Sequence, residues 1–392
     1  MRMPPTRIAV ALAIVLLVAQ PGAAASSEDM TTCKGGQLGE HVADDAIVAA
    51  CGRAIDSGSL HGAELAAMYK WRGVAYARQN NLDRAIADYD AALRLDPKTE
   101  NGYVYRASAD LKKGDADRAV ADYGQAIRVD PVNGPYYERG RVYLDYKGDP
   151  DHAIADLSEA IKRSDDSSRH LTLILSHFDR GRAYLAKGAP DRAIADFGEV
   201  IREPNAAARG YPNRALAYRM KGDNERALAD YAEAIRLDPN SAGTYAARGR
   251  FLLYNGSLAQ AEADFKKAAE LAPKDAITVL WLEVARRRAH TPSTLAQAAQ
   301  QLDMTAWPAP VVRLFLGEAT PVAVLAAATD PNPLTKKGRL CTANFYGGEL
   351  ALSQGEKSEA ERLFRLAVSE CPVTASLIVD ATAELKALRG GR

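Results

Sequence analysis

An excess of charge of one sign is absent from this sequence. Its 392 residues include 50 Lys and Arg against 50 Asp and Glu. Nucleic-acid-binding proteins are normally basic, so we expect no nucleic-acid partner. There are only six His, and we find no phosphate-binding loop, no Gly-x-Ser-x-Gly elbow and no His-Glu-x-x-His pair. The sequence therefore nominates no catalytic residue, no cofactor and no metal ligand, and we expect a protein that is not an enzyme.

Long hydrophobic runs are also scarce, and the clearest one lies at the N-terminus. A start with two arginines precedes the apolar run Ile8–Ala19, and small residues follow at positions 23–25. This order is typical of a secretory signal peptide, here residues 1–25. The run is shorter than the ~20 apolar residues that span a bilayer, which makes an uncleaved anchor the weaker interpretation. We expect a periplasmic chain without a stable membrane anchor.

Cysteine is rare, with four residues that lie in two pairs near the chain ends. An even number in an exported protein favours disulfides, and the simplest connectivity joins Cys33 to Cys51 and Cys341 to Cys371. Zinc is disfavoured because there is no Cys-x-x-Cys and no His at ligand spacing beside a cysteine. Free, buried thiols remain the alternative.

The middle of the chain repeats itself. An Arg followed by Gly or Ala recurs mostly every 33 or 34 residues, and an Asp recurs with nearly the same period. A 34-residue period predicts stacked helix–turn–helix units. One interval is longer, and the polar residues 164–170 predict an enlarged turn there.

The repeat positions resemble the tetratricopeptide repeat (TPR) family. Large aromatic residues recur at Tyr89, Tyr123, Phe197, Tyr231 and Phe265. Gly73, Gly140, Gly181 and Gly249 are expected to meet small alanines where two helices touch, at Ala85, Ala153, Ala193 and Ala261. Lys-Gly-Asp turns at 113–115, 147–149 and 221–223 suit a left-handed glycine that ends one helix and an Asp that caps the next.

The resemblance implies an all-α TPR superhelical solenoid with a helical C-terminal capping region. The cysteine pairs, the repeats and the proline-rich stretch set the expected boundaries. These are a signal peptide at 1–25, an N-terminal helical cap with Cys33 and Cys51 at 26–60, about six repeats at 61–275, capping helices and a Pro-containing linker at 276–340, and a TPR-like hairpin and helix at 341–389.

The recurring charges themselves suggest a ladder of ion pairs. Each Arg is followed about sixteen residues later by an Asp, which places both at the same height on facing helices. The last repeat lacks both residues together. We hypothesise that these residues pair within or between repeats, against the alternative of unrelated surface charges. The members are Arg72, Asp88, Arg106, Asp122, Arg139, Asp156, Arg180, Asp196, Arg214, Asp230, Arg248 and Asp264.

TPR proteins bind peptides or partner proteins on a concave surface. The family's groove positions correspond to Lys70, Tyr137, Arg141, Phe178, Arg182, Arg219 and Arg250. The resemblance implies that the arginines pair with acidic or C-terminal carboxylate groups, while Tyr137 and Phe178 take apolar anchors. Packing between repeats is the alternative role, especially for Phe178. The family's clamp of paired Lys and Asn is not reproduced.

The C-terminal third is similar to the NlpI group of bacterial envelope TPR proteins. The similar segments are 307–308, 314–317, 344–347 and 360–364. That group brings cell-wall hydrolases to a periplasmic protease and can self-associate, so the resemblance implies an envelope scaffold or adaptor that can form a homodimer. The group's lipid-modified Cys is missing here. The alternatives are a peptidoglycan-binding structural protein and an accessory subunit of an enzyme or transport complex.

Overall fold

The computed structural model describes residues 25–35, 42–164 and 170–390, and every regular element among them is a helix. All but the last residue of the predicted signal peptide lies outside this range, as does most of the predicted enlarged turn. In the described part, no helix is both long and apolar enough to cross a membrane. The chain divides into two compact units, which meet between Ala109 and Asp110.

The first unit begins with two helices that cover the first hairpin. A disulfide joins Cys33 to Cys51, whose Cα atoms are 4.9 Å apart. Both cysteines are buried in one core with Met68 and Trp71. The helices of this unit are α1 (Ser27–Lys34), α2 (Asp44–Asp56), α3 (Gly62–Arg78), α4 (Leu82–Leu95) and α5 (Gly102–Lys112), the last of which continues into the second unit.

The second unit continues with helices paired as hairpins. Its repeat helices are α6 (Ala116–Val129), α7 (Tyr136–Val142) with a π-helical extension (Tyr143–Lys147), α8 (Pro150–Lys162), α9 (His170–Ala186), α10 (Pro190–Arg202), α11 (Pro204–Lys221), α12 (Asn224–Leu237), α13 (Ala242–Tyr254) and α14 (Leu258–Leu271). Its C-terminal helices are α15 (Ala276–Ala289), α16 (Leu295–Ala299), α17 (Ala309–Leu316), α18 (Pro321–Ala327), α19 (Pro333–Ser353), α20 (Lys357–Glu370) and α21 (Ser376–Arg389).

The turns inside the hairpins form as the Lys-Gly-Asp pattern predicts. Gly222 ends α11 in the left-handed region at φ 79°, where a side chain would be strained. The carboxylate of Asp223 then accepts a hydrogen bond from the Arg226 backbone N–H at the start of α12. The turns at Gly114 and Gly148 have the same left-handed glycine and capping Asp, which confirms the predicted turn chemistry.

The helical glycines pack differently from the expectation. A Cβ at Gly181 would lie 2.7 Å from the ring of Phe197, and one at Gly73 would lie 2.7 Å from the ring of Tyr89. At Gly73, Gly181 and Gly249 the closest neighbour is therefore the large aromatic residue sixteen positions later, and at Gly140 it is Leu157, at 2.9 Å. The expected contact with a small alanine is secondary. Each aromatic ring fills the space that the missing side chain leaves on the facing helix.

The region predicted to hold capping helices and a linker contains the centre of the largest core. Trp281 on α15 stacks on Phe265, with ring centroids 5.7 Å apart, and contacts Phe345 at 5.3 Å. The C-terminal hairpin begins at Pro333, earlier than the predicted boundary at 341. The side chain of Asn332 caps this helix start, and proline is tolerated in the first turn of a helix. The Cys341–Cys371 disulfide ties its two helices together.

We predict that Gly181→Ala lowers the free energy of unfolding by about 1–3 kcal/mol, because the new methyl group overlaps the Phe197 ring. Gly198→Ala on α10 is the matched control, since a Cβ there meets nothing within 4 Å. The control should be neutral or stabilising by up to about 1 kcal/mol. Urea unfolding of both variants gives the comparison, and equal effects would refute the packing argument.

Candidate binding cleft

The predicted Arg–Asp pairs form within hairpins. Arg214 on α11 donates from Nε and Nη2 to the two carboxylate oxygens of Asp230 on α12, each at 2.8 Å. Four more pairs have the same two-bond geometry with distances of 2.7–2.9 Å, namely Arg72–Asp88, Arg139–Asp156, Arg180–Asp196 and Arg248–Asp264. The pairing is therefore within a repeat, which answers a question that the period alone leaves open.

The residues of the sixth predicted pair, Arg106 and Asp122, belong to different units. Within its own unit, Arg106 donates from Nη1 to Asp90 at 2.6 Å. Asp122 is buried, with 6% of its surface exposed.

Burial makes these pairs structural. Asp230 is 6% exposed, so its carboxylate depends on Arg214 for the hydrogen bonds that water would otherwise supply. The hydrogen bonds with Asp230 raise the pKa of Arg214 above its ordinary value, although burial of the guanidinium opposes this. At Asp196, burial acts to raise the pKa, but hydrogen bonds from Arg180 and His177 leave it below its usual value. Arg214 and Asp196 are therefore charged at neutral pH.

At one end of the predicted groove, the arginines face carboxylates of their own chain. Arg182 donates to Asp179 at 2.7 Å and to Asp145 at 2.9 Å. The guanidinium group of Arg141 lies 3.7 Å from the carboxylate of Asp145 and 3.8 Å from that of Asp179. Tyr137, whose pKa burial raises to about 12, donates its hydroxyl proton to Asp179 at 3.1 Å. These two arginines do not await an acidic ligand, because the two Asp residues neutralise them.

The other end of the predicted groove is covered by the C-terminal helix α21. Asp380 on α21 is fully buried and accepts a hydrogen bond from Arg250 at 3.0 Å. Its other oxygen lies 2.9 Å from Nη1 of Arg219. Arg219 and Arg250 were expected to be open to a partner, but α21 covers most of the surface of both side chains. Their side chains are only 10% and 18% exposed.

Two further groove candidates, Lys70 and Phe178, are packing residues. Lys70 in the first unit is 6% exposed, and its ammonium group lies 4.4 Å from the ring centroid of Trp71. Burial lowers the pKa of Lys70, while the charge of Glu100 opposes the change. Phe178 is also 6% exposed and contacts Phe197 edge-on at 5.9 Å, as the packing alternative expects.

A second buried ionic cluster holds α21 one turn further along the helix. Arg288, in the last turn of α15, donates to Glu349 at 2.5 Å and to Glu384 at 2.8 Å. Burial raises the pKa of Glu349 to about 7, against the opposing effect of Arg288. The hydroxyl of Tyr254 is buried nearby without a hydrogen-bond partner among the described residues. Asp380 and Glu384 are four residues apart on α21, and the ion pairs that both carboxylates form hold this helix in place.

A cleft of about 820 Å³ remains open between α21 and the helices α9, α11 and α13. We call it the α21 cleft. Its walls include apolar side chains, notably Leu185, Leu216, Met220, Ile378 and Val379. Four basic residues line it, Arg182, Arg219, Arg250 and Lys386, and no Asp or Glu is among its described lining residues.

The α21 cleft depends on contacts that the repeat pattern does not reveal. The sequence indicates Arg182, Arg219 and Arg250 as groove residues. It does not reveal that Asp145, Asp179 and α21 lie next to them. Ile378, Leu385 and the acids of α21 recur at a heptad-like spacing, which indicates an amphipathic helix. This spacing does not show where the helix packs. Across the described residues, no group of three His, Cys, Asp or Glu side chains could hold a metal ion.

Sequence models of the tetratricopeptide repeat match four parts of the chain. The matches cover residues 66–99, 106–168, 215–254 and 242–275. The chain therefore contains tetratricopeptide repeats, and they lie in the α3–α4, α5–α8 and α11–α14 regions. No curated protein matches the chain.

Solved structures with a similar fold include the apo form of RapI, with a TM-score of 0.58 at 10% identity over 88% of this chain and 95% of that one. At this identity the likeness shows the fold alone. A tetratricopeptide repeat protein from Parabacteroides merdae gives a TM-score of 0.47 at 22% identity, over 66% of this chain and 98% of that one. Yeast Tom70 gives 0.38 at 16% identity, over 93% and 96%.

We predict that Asp230→Ala lowers the free energy of unfolding by about 3–5 kcal/mol, because it leaves the guanidinium of Arg214 without its buried partner. Glu233→Ala on the same helix is the control, since it breaks an exposed pair with Arg236 and should leave the free energy of unfolding nearly unchanged. Chemical denaturation measures both. A cost for Asp230→Ala no larger than that of the control would show that the ladder contributes nothing to stability.

Proposed function

We propose that this protein is a scaffold that binds partner proteins or peptides in the α21 cleft. Tetratricopeptide repeats generally serve as non-catalytic interaction modules, and the chain contains them at the positions given above. The observation that carries the proposal is the cleft itself. Its volume of about 820 Å³ lies within the range that is typical of ligand-binding pockets.

The chemistry of the walls also suits a peptide. Leu216 and Met220 on α11 and Ile378 on α21 supply apolar surface for side chains. Asn213 and Thr382 bring polar groups that can bond to a peptide backbone. Combined apolar and polar walls are typical of sites that hold an extended segment in one orientation.

We further propose that the protein is exported and acts in the bacterial envelope, in line with the resemblance to the NlpI group. The N-terminal signal pattern supports export. So do the two disulfides, because such bonds persist in oxidising compartments and are rare in the cytosol. The proposed role is that of an adaptor that brings envelope proteins together, with protease regulation as one such role.

We predict that Thr382→Trp abolishes partner capture, because Thr382 is exposed on α21 and a large side chain there fills the cleft without disturbing the core. Ser369→Trp on α20 is the control, since Ser369 is equally exposed but lies outside the cleft. Cross-linking in cells followed by affinity purification compares the proteins recovered with each variant. At least a tenfold loss of specific partners with Thr382→Trp alone is expected.

The same preparations test the other candidate functions. Sedimentation with purified cell-wall sacculi that Thr382→Trp does not affect would favour a peptidoglycan-binding structural protein. Partners that all belong to one enzyme or transport complex would favour an accessory subunit. Turnover of a substrate by the purified chain would contradict the scaffold. Light scattering shows whether a second copy is among the partners.

We predict that all four cysteines are oxidised in the cell. Alkylation of acid-quenched cells with a mass-shifting thiol reagent should leave the mature chain unmodified until it is reduced. Deletion of residues 2–25 is the control, because the chain then stays in the cytosol, where thiols are kept reduced. Modification of the full-length chain without reduction would contradict both export and the disulfides as permanent features.

A further inference from the structure

We propose that α21 is a proton-sensitive latch: uptake of one proton by the buried carboxylates of Glu349 and Glu384 holds this helix more firmly against α15 and α19. Arg288 on α15 binds both carboxylates, one from α19 and one from α21. Because α21 forms one wall of the α21 cleft, the consequence for partner binding rests on the proposed function, whereas the latch itself does not.

The two carboxylates of this cluster depend on a single nitrogen atom. Nη2 of Arg288 donates to Glu349 at 2.5 Å and to Glu384 at 2.8 Å. In the ladder pairs, by contrast, one arginine gives two hydrogen bonds to one Asp, as Arg214 does to Asp230. The second oxygen of Glu349, Oε1, is buried without a hydrogen-bond partner among the described residues. Two acids therefore compete for one guanidinium group.

One bound proton removes this competition. The side chains of Glu349 and Glu384 are only 1% and 2% exposed, so water screens the repulsion between two ionised carboxylates poorly. Burial raises the pKa of Glu349 to about 7, while the charge of Arg288 opposes this change and that of Glu384 reinforces it. The pair therefore takes up its proton close to neutral pH, and Arg288 then faces one carboxylate instead of two.

Several other charged or titratable groups surround Glu349. From the neighbouring elements, these are Arg287 and Arg288 on α15, His290 at its end, Tyr254 on α13, and Asp380 and Glu384 on α21. Arginine keeps its charge near neutral pH, and burial holds the pKa of Tyr254 well above its ordinary value, so that its hydroxyl stays neutral. The exposed His290 lines a cavity of about 190 Å³ together with Glu349. Histidine commonly titrates near neutral pH, so the test has to separate these two groups.

Opening of α21 changes the environment of Glu349. When α21 leaves α15, Glu384 moves away and water reaches Glu349, so the pKa of Glu349 falls toward its ordinary value of 4.5. The closed position therefore binds the proton more tightly than the open one does. The stabilisation is fully present below about pH 4.5 and is lost as the pH rises through about 7. Acidification thus tightens the latch, and a rise in pH loosens it.

α21 can loosen without opening the hairpin that precedes it. Cys371, directly after α20, is bonded to Cys341 on α19, so the attachment point of α21 stays in place. Beyond that point, Asp380 and Glu384 are buried acids that reach arginines of other helices. A weaker contact of Glu384 with Arg288 therefore acts on the position of α21 itself.

The test measures backbone hydrogen exchange of α21 in the full chain by mass spectrometry, corrected for the intrinsic pH dependence of exchange. Protection of Ser376–Arg389 should fall by about tenfold or more between about pH 5.5 and about pH 7.5. Glu349→Gln keeps an acceptor for Arg288 but cannot titrate, so it should remove this pH dependence. Glu359→Gln, which changes an exposed acid of α20, is the matched control and should keep it. His290→Asn should also keep it, since Asn tolerates the left-handed backbone at this position.

Glu384→Gln protects the test against a folding defect of Glu349→Gln. It leaves Arg288 a single acid, so it should also remove most of the pH dependence. Equal protection of wild-type α21 at both pH values would overturn the latch. So would a pH dependence that both glutamine variants keep, or one that His290→Asn removes.

The exchange measurement uses no partner, which separates the latch from the proposed function. An unresponsive α21 would overturn the latch even where Thr382→Trp still abolishes partner capture. Partner capture that is indifferent to Thr382→Trp would overturn the proposed function, while a pH-dependent α21 would still support the latch.

Discussion

Arginines that this fold buries, such as Arg214, Arg219 and Arg288, meet carboxylates of the same chain. Burial of an unpaired charge costs more than a small domain can supply, so the position of each buried arginine fixes the position of an acid. In the hairpins, this constraint sets the height of the two helices against each other, as Arg214 and Asp230 show. In the C-terminal half, it decides where α21 lies, because Asp380 and Glu384 bind arginines from three different helices.

The sequence reveals this constraint wherever both partners follow the repeat. A spacing of sixteen residues across a short turn places Arg and Asp opposite each other, which is why the ladder could be predicted from the period. The capping turns were predictable for the same reason, since Gly222 and Asp223 act on residues next to them. Local chemistry repeated every 34 residues is readable without a structure.

The α21 cleft was harder to predict because the residues that pair around it do not follow the period. Arg250 and Asp380 are 130 residues apart, and the helix that carries Asp380 lies beyond the proline-rich segment. A residue pattern identifies which positions of a repeat face the groove, but it cannot show that another part of the chain already covers them. The same limit explains why α15 was expected to be a cap, although Trp281 is at the centre of the largest core.

The chain's own acids determine which basic residues of the α21 cleft are already paired. Asp145 and Asp179 cancel two arginines and turn that end of the cleft into a rigid wall, whereas Asp380 serves two arginines at once. Charge shared in this way costs stability locally, and the disulfide between Cys341 and Cys371 restrains the hairpin from which α21 extends. The disulfide and the buried carboxylates of α21 thus act on the same wall of the α21 cleft, so contacts within the chain position that wall.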